Sequence, residues 1–295
     1  MTDVAWIGTG VMGRAMCGHL LDAGHRLRVY SRTRARAEEL LERGAEWRSS
    51  PREAAADAEI VCVMVGMPDD VREVVLGPQG ALDAMASGTH LVDLTTSSPD
   101  LAVEIADAAR ARGVVAVDAP VSGGDVGARR GKLVVMAGGD AGAVDAVRPL
   151  LECFSSVVDH HGAPGAGQHT KMVNQILIAG GMVALCEGLE YARAAGLDPR
   201  RVIDTVSRGA AASWSLDNYG PRILDGDFEP GFMVDHFVKD LGIALAEARR
   251  LKLSLPGLAL AEQLYVATQA GGHGDRGTHS LIKTIERLSR NDTAA

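Results

Sequence analysis

Short apolar runs recur along the first half of the chain and are separated by longer segments in which apolar and charged residues mix. Runs of strand length lie at residues 4–7, 27–30, 60–65, 91–94, 114–117, 132–136 and 156–160. An unbroken apolar run is typical of a strand buried on both faces, and strands separated by helical segments are typical of a parallel, doubly wound sheet. The pattern therefore predicts an α/β domain.

The second part of the chain has the periodicity of helices. Residues 165–195 lack proline and carry apolar residues on every side, which predicts a long buried helix. Asp198 followed by Pro199 is typical of a helix start. Helices are expected at 199–209, 215–225, 236–251, 257–270 and 278–289. The break at Gly162–Gly165 predicts an α/β domain at 1–164 and an all-helical domain at 165–295.

Composition and charge restrict the partners. The chain has 295 residues, 46% of them hydrophobic, and a formal net charge of −8. This acidic balance, without a basic run, argues against nucleic acid or an anionic membrane as a partner. The long helix contains Glu187 and Glu190, so we do not predict a membrane span.

The cysteines and the N-terminus indicate the compartment. Four separated cysteines lack the spacing of disulfide or metal sites, so we expect reduced thiols in a cytoplasmic protein and no metal site. Residues Met1–Asp3 lead directly into the first predicted strand, so we expect no secretory signal. The four cysteines have no role in the predicted chemistry. They are Cys17, Cys62, Cys153 and Cys186.

A glycine-rich turn follows the first strand and opens a helix. The hexapeptide is Gly8, Thr9, Gly10, Val11, Met12 and Gly13. Strand, G-x-G-x-x-G and helix together form the fingerprint for binding a dinucleotide pyrophosphate at a helix N-terminus. These six residues are therefore predicted to bind cofactor.

The turn after the second strand bears on cofactor choice. It carries Ser31, Arg32 and Thr33, where NAD-binding proteins usually place an acid for the ribose hydroxyl. The turn has no carboxylate to repel a 2′-phosphate, and Arg32 can pair with one. We expect NADP, with NAD as the alternative. The other interpretation is a solvated turn whose arginines contact no ligand.

Ligands of parallel sheets bind at the carboxyl ends of the strands. The residues predicted at this edge, besides the glycine turn, are Met67, Pro68, Thr96, Ser122, Gly123 and Gly124. The last three can form a nest of N–H donors for a carboxylate, which makes them candidate substrate-binding residues; the alternative is a flexible turn.

Lys171 is the candidate for acid–base chemistry. It lies in the apolar long helix, and Asn174 and Gln175 follow it on the same face. A buried lysine has a tunable proton affinity, whereas a lysine at the helix mouth would extend to solvent. The sequence leaves both interpretations open.

Trp214 and Tyr219 lie in the segment Ser213–Gly220, which spans the start of the helix predicted at 215–225. Such residues most often pack in a core, but they also line substrate pockets. We include both as candidate substrate-binding residues.

Five motifs in this order resemble those of the β-hydroxyacid dehydrogenases, which include 3-hydroxyisobutyrate dehydrogenase, tartronate semialdehyde reductase and relatives of 6-phosphogluconate dehydrogenase. The motifs are Gly8-x-Gly10-x-x-Gly13, Asp93-x-Thr95-Thr96-x-x-Pro99, Asp118-Ala119-Pro120-Val121-Ser122-Gly123-Gly124, Gly165-x-Gly167-x-x-x-Lys171 and Lys239-Asp240-Leu241. The resemblance implies an α/β Rossmann domain and an all-α C-terminal domain joined by the long interdomain helix. It also implies a homodimer or homotetramer.

The resemblance assigns roles where residues match. Lys171 falls on the catalytic lysine, the Ser122–Gly124 segment on the carboxylate loop, and Thr96 and Lys239 on cofactor contacts. Many members carry asparagine four residues after the lysine, where this chain has Gln175. Asn174 stands one residue earlier, so either amide could contact substrate.

The implied reaction is NADP(H)-dependent hydride transfer on a short 3-hydroxy acid of the 3-hydroxyisobutyrate or L-serine type, with Lys171 as general acid and base. The alternatives are a semialdehyde reductase of the tartronate, succinic or glyoxylate type, an imine reductase, or a non-catalytic NADP-binding module. The segment from Trp214 to Tyr219 resembles serine-oxidising members. The Gly274–His279 segment departs from the acidic pattern of tartronate semialdehyde reductases.

Overall fold

The computed structural model describes residues 1–289 as two compact units, Met1–Lys171 and a second that begins at Met172. The division falls inside the long helix, seven residues beyond the boundary predicted at 164. The first turn of that helix is therefore part of the first unit.

The first unit is built on a six-stranded parallel sheet. Its strands are β1 (Asp3–Ile7), β2 (Arg26–Tyr30), β3 (Glu46–Trp47), β4 (Ile60–Val63), β5 (His90–Asp93) and β6 (Val115–Asp118). Their order is β3-β2-β1-β4-β5-β6, and every pair is parallel. The order reverses between β1 and β4, which is where such sheets bind ligands. The predicted doubly wound α/β fold is confirmed.

The last three strands form a separate sheet. They are β7 (Val121–Ser122), β8 (Leu133–Ala137) and β9 (Ser155–His160). β7 is antiparallel to β8, and β8 is parallel to β9. An isolated bridge between Asp118 and Gly138 joins β6 to the loop after β8. The sequence predicted the two longer strands but not the two-residue β7, which is too short to show a pattern.

Helices cover both faces of the large sheet. They are α1 (Val11–Asp22), α2 (Glu38–Glu42), α3 (Pro51–Ala55), α4 (Pro68–Leu76), α5 (Pro99–Arg110), α6 (Gly124–Arg129) and α7 (Ala141–Leu151). Short 3₁₀ segments occupy Arg34–Ala37 and Leu82–Ala84. The start of α5 shows how the sequence sets a helix N-terminus. The Ser98 side chain caps the helix by accepting the Leu101 N–H, and Pro99 occupies the first helical position.

The sheet is buried on both faces. In β1, Val4 and Trp6 pack into one apolar cluster, whereas Ala5 and Ile7 pack into the cluster on the opposite face. Side chains alternate across a strand, so an unbroken apolar run fills two cores at once. This is why the longer strands of the sheet could be predicted from the sequence, whereas the two-residue β3, which has no buried residue, was not predicted.

The long helix is α8 (Ala166–Ala194), of 29 residues. One face is buried, but Val173, Leu177 and Tyr191 are 57%, 71% and 75% exposed. The prediction that the helix is buried on every side is therefore wrong for the single chain. A Cβ added at Gly180, Gly181 or Gly188 would meet no atom of residues 1–289 within 4 Å outside the helix's own backbone, so packing within the single chain does not require glycine there.

The same helix has the length and apolar composition of a membrane span, with a mean hydropathy of 1.5 over a window that is 39% buried. Core helices of globular proteins share these properties. Among residues 1–289 it is the one helix with them.

The second unit is helical. It contains α9 (Pro199–Val206), α10 (Trp214–Asp225), α11 (Val234–Arg250), α12 (Pro256–Thr268) and α13 (Leu281–Ser289), with a π-helical turn at Gln269–His273 and a 3₁₀ turn at Thr278–Ser280. The predicted cap of α9 is confirmed, because the Asp198 side chain accepts the Arg200 N–H. Phe237, Tyr265 and Leu281 are fully buried in its core.

Candidate active site

The glycine turn joins the ends of three strands. The Gly8 N–H donates to the Tyr30 carbonyl at the end of β2, at 2.8 Å. Its φ is +102°, and a Cβ there would lie 2.1 Å from the Met64 carbonyl oxygen beyond β4. A Cβ on Gly13 would lie 2.0 Å from the Gly8 carbonyl oxygen. Both positions therefore require glycine for packing.

Gly10 differs from its two neighbours in the motif. It is the N-cap of α1, has an ordinary φ of −68°, and a Cβ there would meet nothing within 4 Å among the described residues. The first turn of α1 carries no acidic residue. The buried Thr9 Oγ1 has no hydrogen-bond partner within residues 1–289. Open space, a helix N-terminus and a buried hydroxyl fit a dinucleotide pyrophosphate.

Arg32 has a partner that the local sequence did not show. Its Nη1 and Nη2 donate to Asp70 Oδ1 and Oδ2 at 3.0 and 3.4 Å. Ser31 is half-buried, and Arg32 and Thr33 are exposed beside the end of β2. The turn has no carboxylate of its own, but the fold supplies one from α4, 38 residues later.

The loops after β4 and β5 are tied together. The Val65 N–H donates to Thr95 Oγ1 at 3.0 Å, and the Thr95 N–H donates to Asp93 Oδ1 at 3.0 Å. Asp93 and Thr95 are buried, whereas Thr96 between Thr95 and Ser97 is half-buried. The structure thus places the predicted cofactor contacts Met67, Pro68 and Thr96 on the edge of the sheet that carries the glycine turn.

Gln168 connects the loop after β5 to the long helix. It is fully buried; its Nε2 donates to the Thr95 carbonyl at 2.7 Å, and its Oε1 accepts the Ser97 N–H at 2.9 Å. Sequence reasoning missed this residue. The available signal was its polarity in an apolar helix, three residues before Lys171.

Asp118 holds the start of the same helix. Its Oδ1 accepts the Gly165 N–H and its Oδ2 accepts the Gln168 N–H, each at 2.8 Å. Burial raises the pKa of Asp118 above its ordinary value, and these N–H groups act in the opposite direction. A carboxylate at a helix N-terminus is stabilised by unpaired N–H groups and the helix dipole. Asp118 thereby fixes the turn that precedes Lys171.

Lys171 is 6% exposed. Its Nζ donates to the Val121 carbonyl at 2.8 Å. The interpretation in which this lysine extends to solvent is therefore wrong. Because Val121 directly precedes Ser122, the amino group lies beside the predicted carboxylate loop.

The carboxylate loop follows β7 and opens the short helix α6. Gly123 and Gly124 have φ values of +127° and +61°, which other residues rarely adopt. A Cβ on Gly124 would meet nothing within 4 Å in the described part of the chain. Two consecutive glycines with positive φ can turn successive N–H groups toward one anion.

The candidate residues of the second unit form their own network. Asn174 Nδ2 donates to Gln175 Oε1 at 2.7 Å, and Gln175 Nε2 donates to Asp240 Oδ2 at 2.6 Å. Asp240 Oδ1 also pairs with Lys239 Nζ at 2.8 Å. Gln175 and Asp240 are 1% exposed, whereas Asn174 is half-buried. Gln175 is therefore an internal support, and Asn174 is the more accessible amide.

The aromatic pair is split between surface and core. Trp214 is 58% exposed at the start of α10, and its ring lies 5.2 Å from that of Tyr219. Tyr219 is buried and stacks on His279 at 4.8 Å. Burial lowers the pKa of His279, whose Nε2 lies 2.6 Å from the Asp227 carbonyl. Tyr219 thus has a packing role within its unit.

The first unit alone combines a glycine turn at the carboxyl ends of a parallel sheet, loops that meet at the same edge, and a buried lysine next to a loop with two consecutive glycines of positive φ. This combination defines a nicotinamide-dinucleotide oxidoreductase. In residues 1–289, no group of three or more His, Cys, Asp or Glu side chains has metal-binding geometry.

Two family models match the chain. Residues 3–162 match the NAD-binding domain of 6-phosphogluconate dehydrogenase, and residues 165–285 match a domain described as the NAD-binding domain of NADP-dependent 3-hydroxyisobutyrate dehydrogenase. The chain therefore belongs to the 3-hydroxyisobutyrate dehydrogenase-like family of NAD(P)-dependent hydroxyacid dehydrogenases, and the resemblance drawn from the five motifs is confirmed.

Individual relatives agree with this assignment. A probable mitochondrial 3-hydroxyisobutyrate dehydrogenase-like protein of Arabidopsis thaliana is 51% identical over 98% of this chain and 86% of its own length. The 2-hydroxy-3-oxopropionate reductase of Escherichia coli is 35% identical over 99% of both. A solved structure of Mycobacterium tuberculosis 3-hydroxyisobutyrate dehydrogenase with L-serine has a TM-score of 0.89 at 30% identity, covering 98% of this chain and 100% of that one.

Proposed function

We propose that this enzyme transfers hydride between NADP(H) and the carbinol or carbonyl carbon of a short 3-hydroxy acid, with Lys171 as general acid and base. The observation that carries the proposal is the buried Lys171 amino group, 2.8 Å from the Val121 carbonyl and next to the Ser122–Gly124 loop. This arrangement would let Lys171 transfer a proton on a substrate whose carboxylate is bound by the neighbouring loop.

The proposed reaction uses these two features together. The substrate carboxylate accepts N–H groups of the Ser122–Gly124 loop, which brings the carbinol hydroxyl toward Lys171 Nζ. A nicotinamide bound beside this loop would supply the hydride acceptor for the carbinol carbon. Lys171 takes the hydroxyl proton during oxidation and returns it to the forming hydroxyl during reduction.

Asn174 is proposed as the substrate-binding amide, with Gln175 as its support. The amide nitrogen of Gln175 is committed to the buried Asp240 carboxylate, and its oxygen accepts from Asn174. The same carboxylate pairs with Lys239, the residue assigned to the cofactor by resemblance. This network would hold Asn174 and Lys239 in fixed orientations.

The choice of NADP rests on Arg32 and the two hydroxyls beside it. Arg32 is 74% exposed at the end of β2, where a dinucleotide presents its adenosine ribose. The model matched by residues 165–285 is also described for an NADP-dependent enzyme.

For the substrate we propose 3-hydroxyisobutyrate or L-serine. The names of the A. thaliana relative and of the M. tuberculosis structure with L-serine favour these acids. The E. coli relative favours a second candidate, reduction of 2-hydroxy-3-oxopropionate, a tartronate-type semialdehyde. All three share a carboxylate and a reacting carbon one atom beyond its α-carbon.

A steady-state assay of nicotinamide absorbance tests the proposal. NADP and NAD are each offered with 3-hydroxyisobutyrate, L-serine and glycerate, and NADPH with 2-hydroxy-3-oxopropionate and succinic semialdehyde. We expect one short 3-hydroxy acid to be oxidised faster with NADP than with NAD. If every acid and semialdehyde is inert although NADPH binds tightly, the proposed reaction is wrong.

A further inference from the structure

The Asp70 carboxylate pairs with the Arg32 guanidinium. The two side chains form a two-pronged contact, at 3.0 Å between Nη1 and Oδ1 and 3.4 Å between Nη2 and Oδ2. Arg32 is 74% exposed, but Asp70 is only 18% exposed. The arginine can therefore swing on its long side chain, whereas the carboxylate is held in the protein surface.

A second contact explains why Asp70 stays in place. Its Oδ2 also accepts the Met67 N–H at 3.2 Å, which caps the start of α4. A Cβ on Gly66 would lie 3.3 Å from the same oxygen, so glycine leaves room for the carboxylate. Asp70 is thus anchored by the helix that it caps, independently of Arg32.

A 2′-phosphate would compete for the same guanidinium. Arginine pairs with carboxylate and phosphate through the same planar set of donors. A phosphate that binds the Arg32 guanidinium must either displace the Asp70 carboxylate from it or bind beside that carboxylate. In both cases the phosphate lies within a few ångströms of the fixed negative charge of Asp70. Like charges at this separation repel each other strongly when they are partly shielded from water.

We propose that Asp70 is a cofactor-specificity residue that weakens binding of the phosphorylated dinucleotide relative to the unphosphorylated one. The inference rests on the proposed role of Arg32 in binding NADP. Arg32 attracts the 2′-phosphate, and Asp70 limits that attraction. The preference for NADP over NAD is therefore smaller than Arg32 alone would give.

Binding titrations of the full-length protein with NADPH and NADH test this without a substrate. The variant is Asp70→Asn, which keeps an oxygen for the Met67 N–H and removes the charge. Asp69→Asn is the matched control, because it makes the same charge change at the neighbouring exposed residue of α4. Arg32→Gln tests the underlying assignment. Thermal melting verifies that each variant is folded.

We expect Asp70→Asn to tighten NADPH binding roughly ten-fold, the size of a like-charge contact at a partly exposed site, while NADH changes less than about two-fold. Asp69→Asn should give a clearly smaller NADPH effect. Unchanged or weaker NADPH binding in folded Asp70→Asn overturns the inference, since Asp70 would then only hold Arg32. If Arg32→Gln leaves the NADPH-to-NADH ratio unchanged, the NADP assignment itself fails.

Discussion

At the scale of single residues, the three glycines of the Gly8-x-Gly10-x-x-Gly13 motif are required for different reasons. Gly8 and Gly13 are required by packing, because a Cβ would lie 2.1 and 2.0 Å from carbonyl oxygens. Gly10 has open space around it and an ordinary φ of −68°. Residues 1–289 leave room for a side chain at Gly10, whereas a pyrophosphate bound close to this backbone would need the same space.

This difference gives a paired prediction. Gly10→Ala should leave the melting temperature nearly unchanged and weaken NADPH binding by at least ten-fold, because the methyl group occupies the ligand's space. Gly13→Ala should lower the melting temperature by several degrees, as expected for overpacking that costs about 1–3 kcal/mol. Calorimetry with NADPH titration measures both. Equal effects of the two variants on stability would contradict the assignment.

The sequence allowed prediction of residues that belong to a motif of chain neighbours. Gly8, Gly10 and Gly13 could be found because the motif sits between a strand and a helix. The pairing of Arg32 with Asp70 could not, because it depends on two strand ends that only the parallel sheet brings together. The residues of the turn itself, Ser31–Thr33, predicted surroundings without a carboxylate. In the fold, Asp70 of α4 supplies a carboxylate beside Arg32.

At the scale of elements, the long helix α8 is fixed at its start by two buried polar side chains. Asp118 accepts N–H groups of Gly165 and Gln168, and Gln168 bonds to the loop of Thr95 and Ser97. The helix start, the loop bearing Thr96 and the turn bearing Lys171 are thereby held as one body. Sequence periodicity predicted the helix but not these attachments, which are long-range.

Replacing Gln168 should therefore affect cofactor and chemistry together. Gln168→Leu leaves the buried Thr95 carbonyl and Ser97 N–H without partners, a loss of about 1–3 kcal/mol per group. We expect a lower melting temperature, a higher KM for NADP and a lower kcat. Thr170→Val is the control, since the Thr170 hydroxyl donates to the Ala166 carbonyl of its own helix and, within residues 1–289, links it to no other element. A purely structural role would lower stability without moving KM or kcat.

At the scale of the whole molecule, the exposed apolar face of α8 bears on how copies of the chain assemble. The all-round apolar pattern of α8 predicted complete burial, yet Val173 and Leu177 are 57% and 71% exposed. The apolar pattern predicts that a helix face is buried, but it does not distinguish burial within the same chain from burial against another chain. Together with the implied homodimer or homotetramer, this exposed face is expected to contact a second copy.

A charge on that face tests the expectation. Leu177→Glu should shift the protein toward monomer in size-exclusion chromatography with light scattering, because a buried carboxylate without a partner is costly. Leu253→Glu, at a residue 55% exposed beyond α11, is the matched control and should leave the mass unchanged. An oligomer that persists in folded Leu177→Glu would exclude this face from the interface.

The measurement that tests the central claim most directly is single-turnover and steady-state kinetics of Lys171→Met. Its long apolar side chain fills the space of lysine without a transferable proton, and Lys132→Met controls for loss of a lysine at an exposed position. We predict that kcat falls about 10²- to 10⁴-fold, the usual contribution of a general acid or base, while NADPH affinity is retained. Turnover within a few-fold of the unmodified enzyme would show that Lys171 is not the proton-transfer residue.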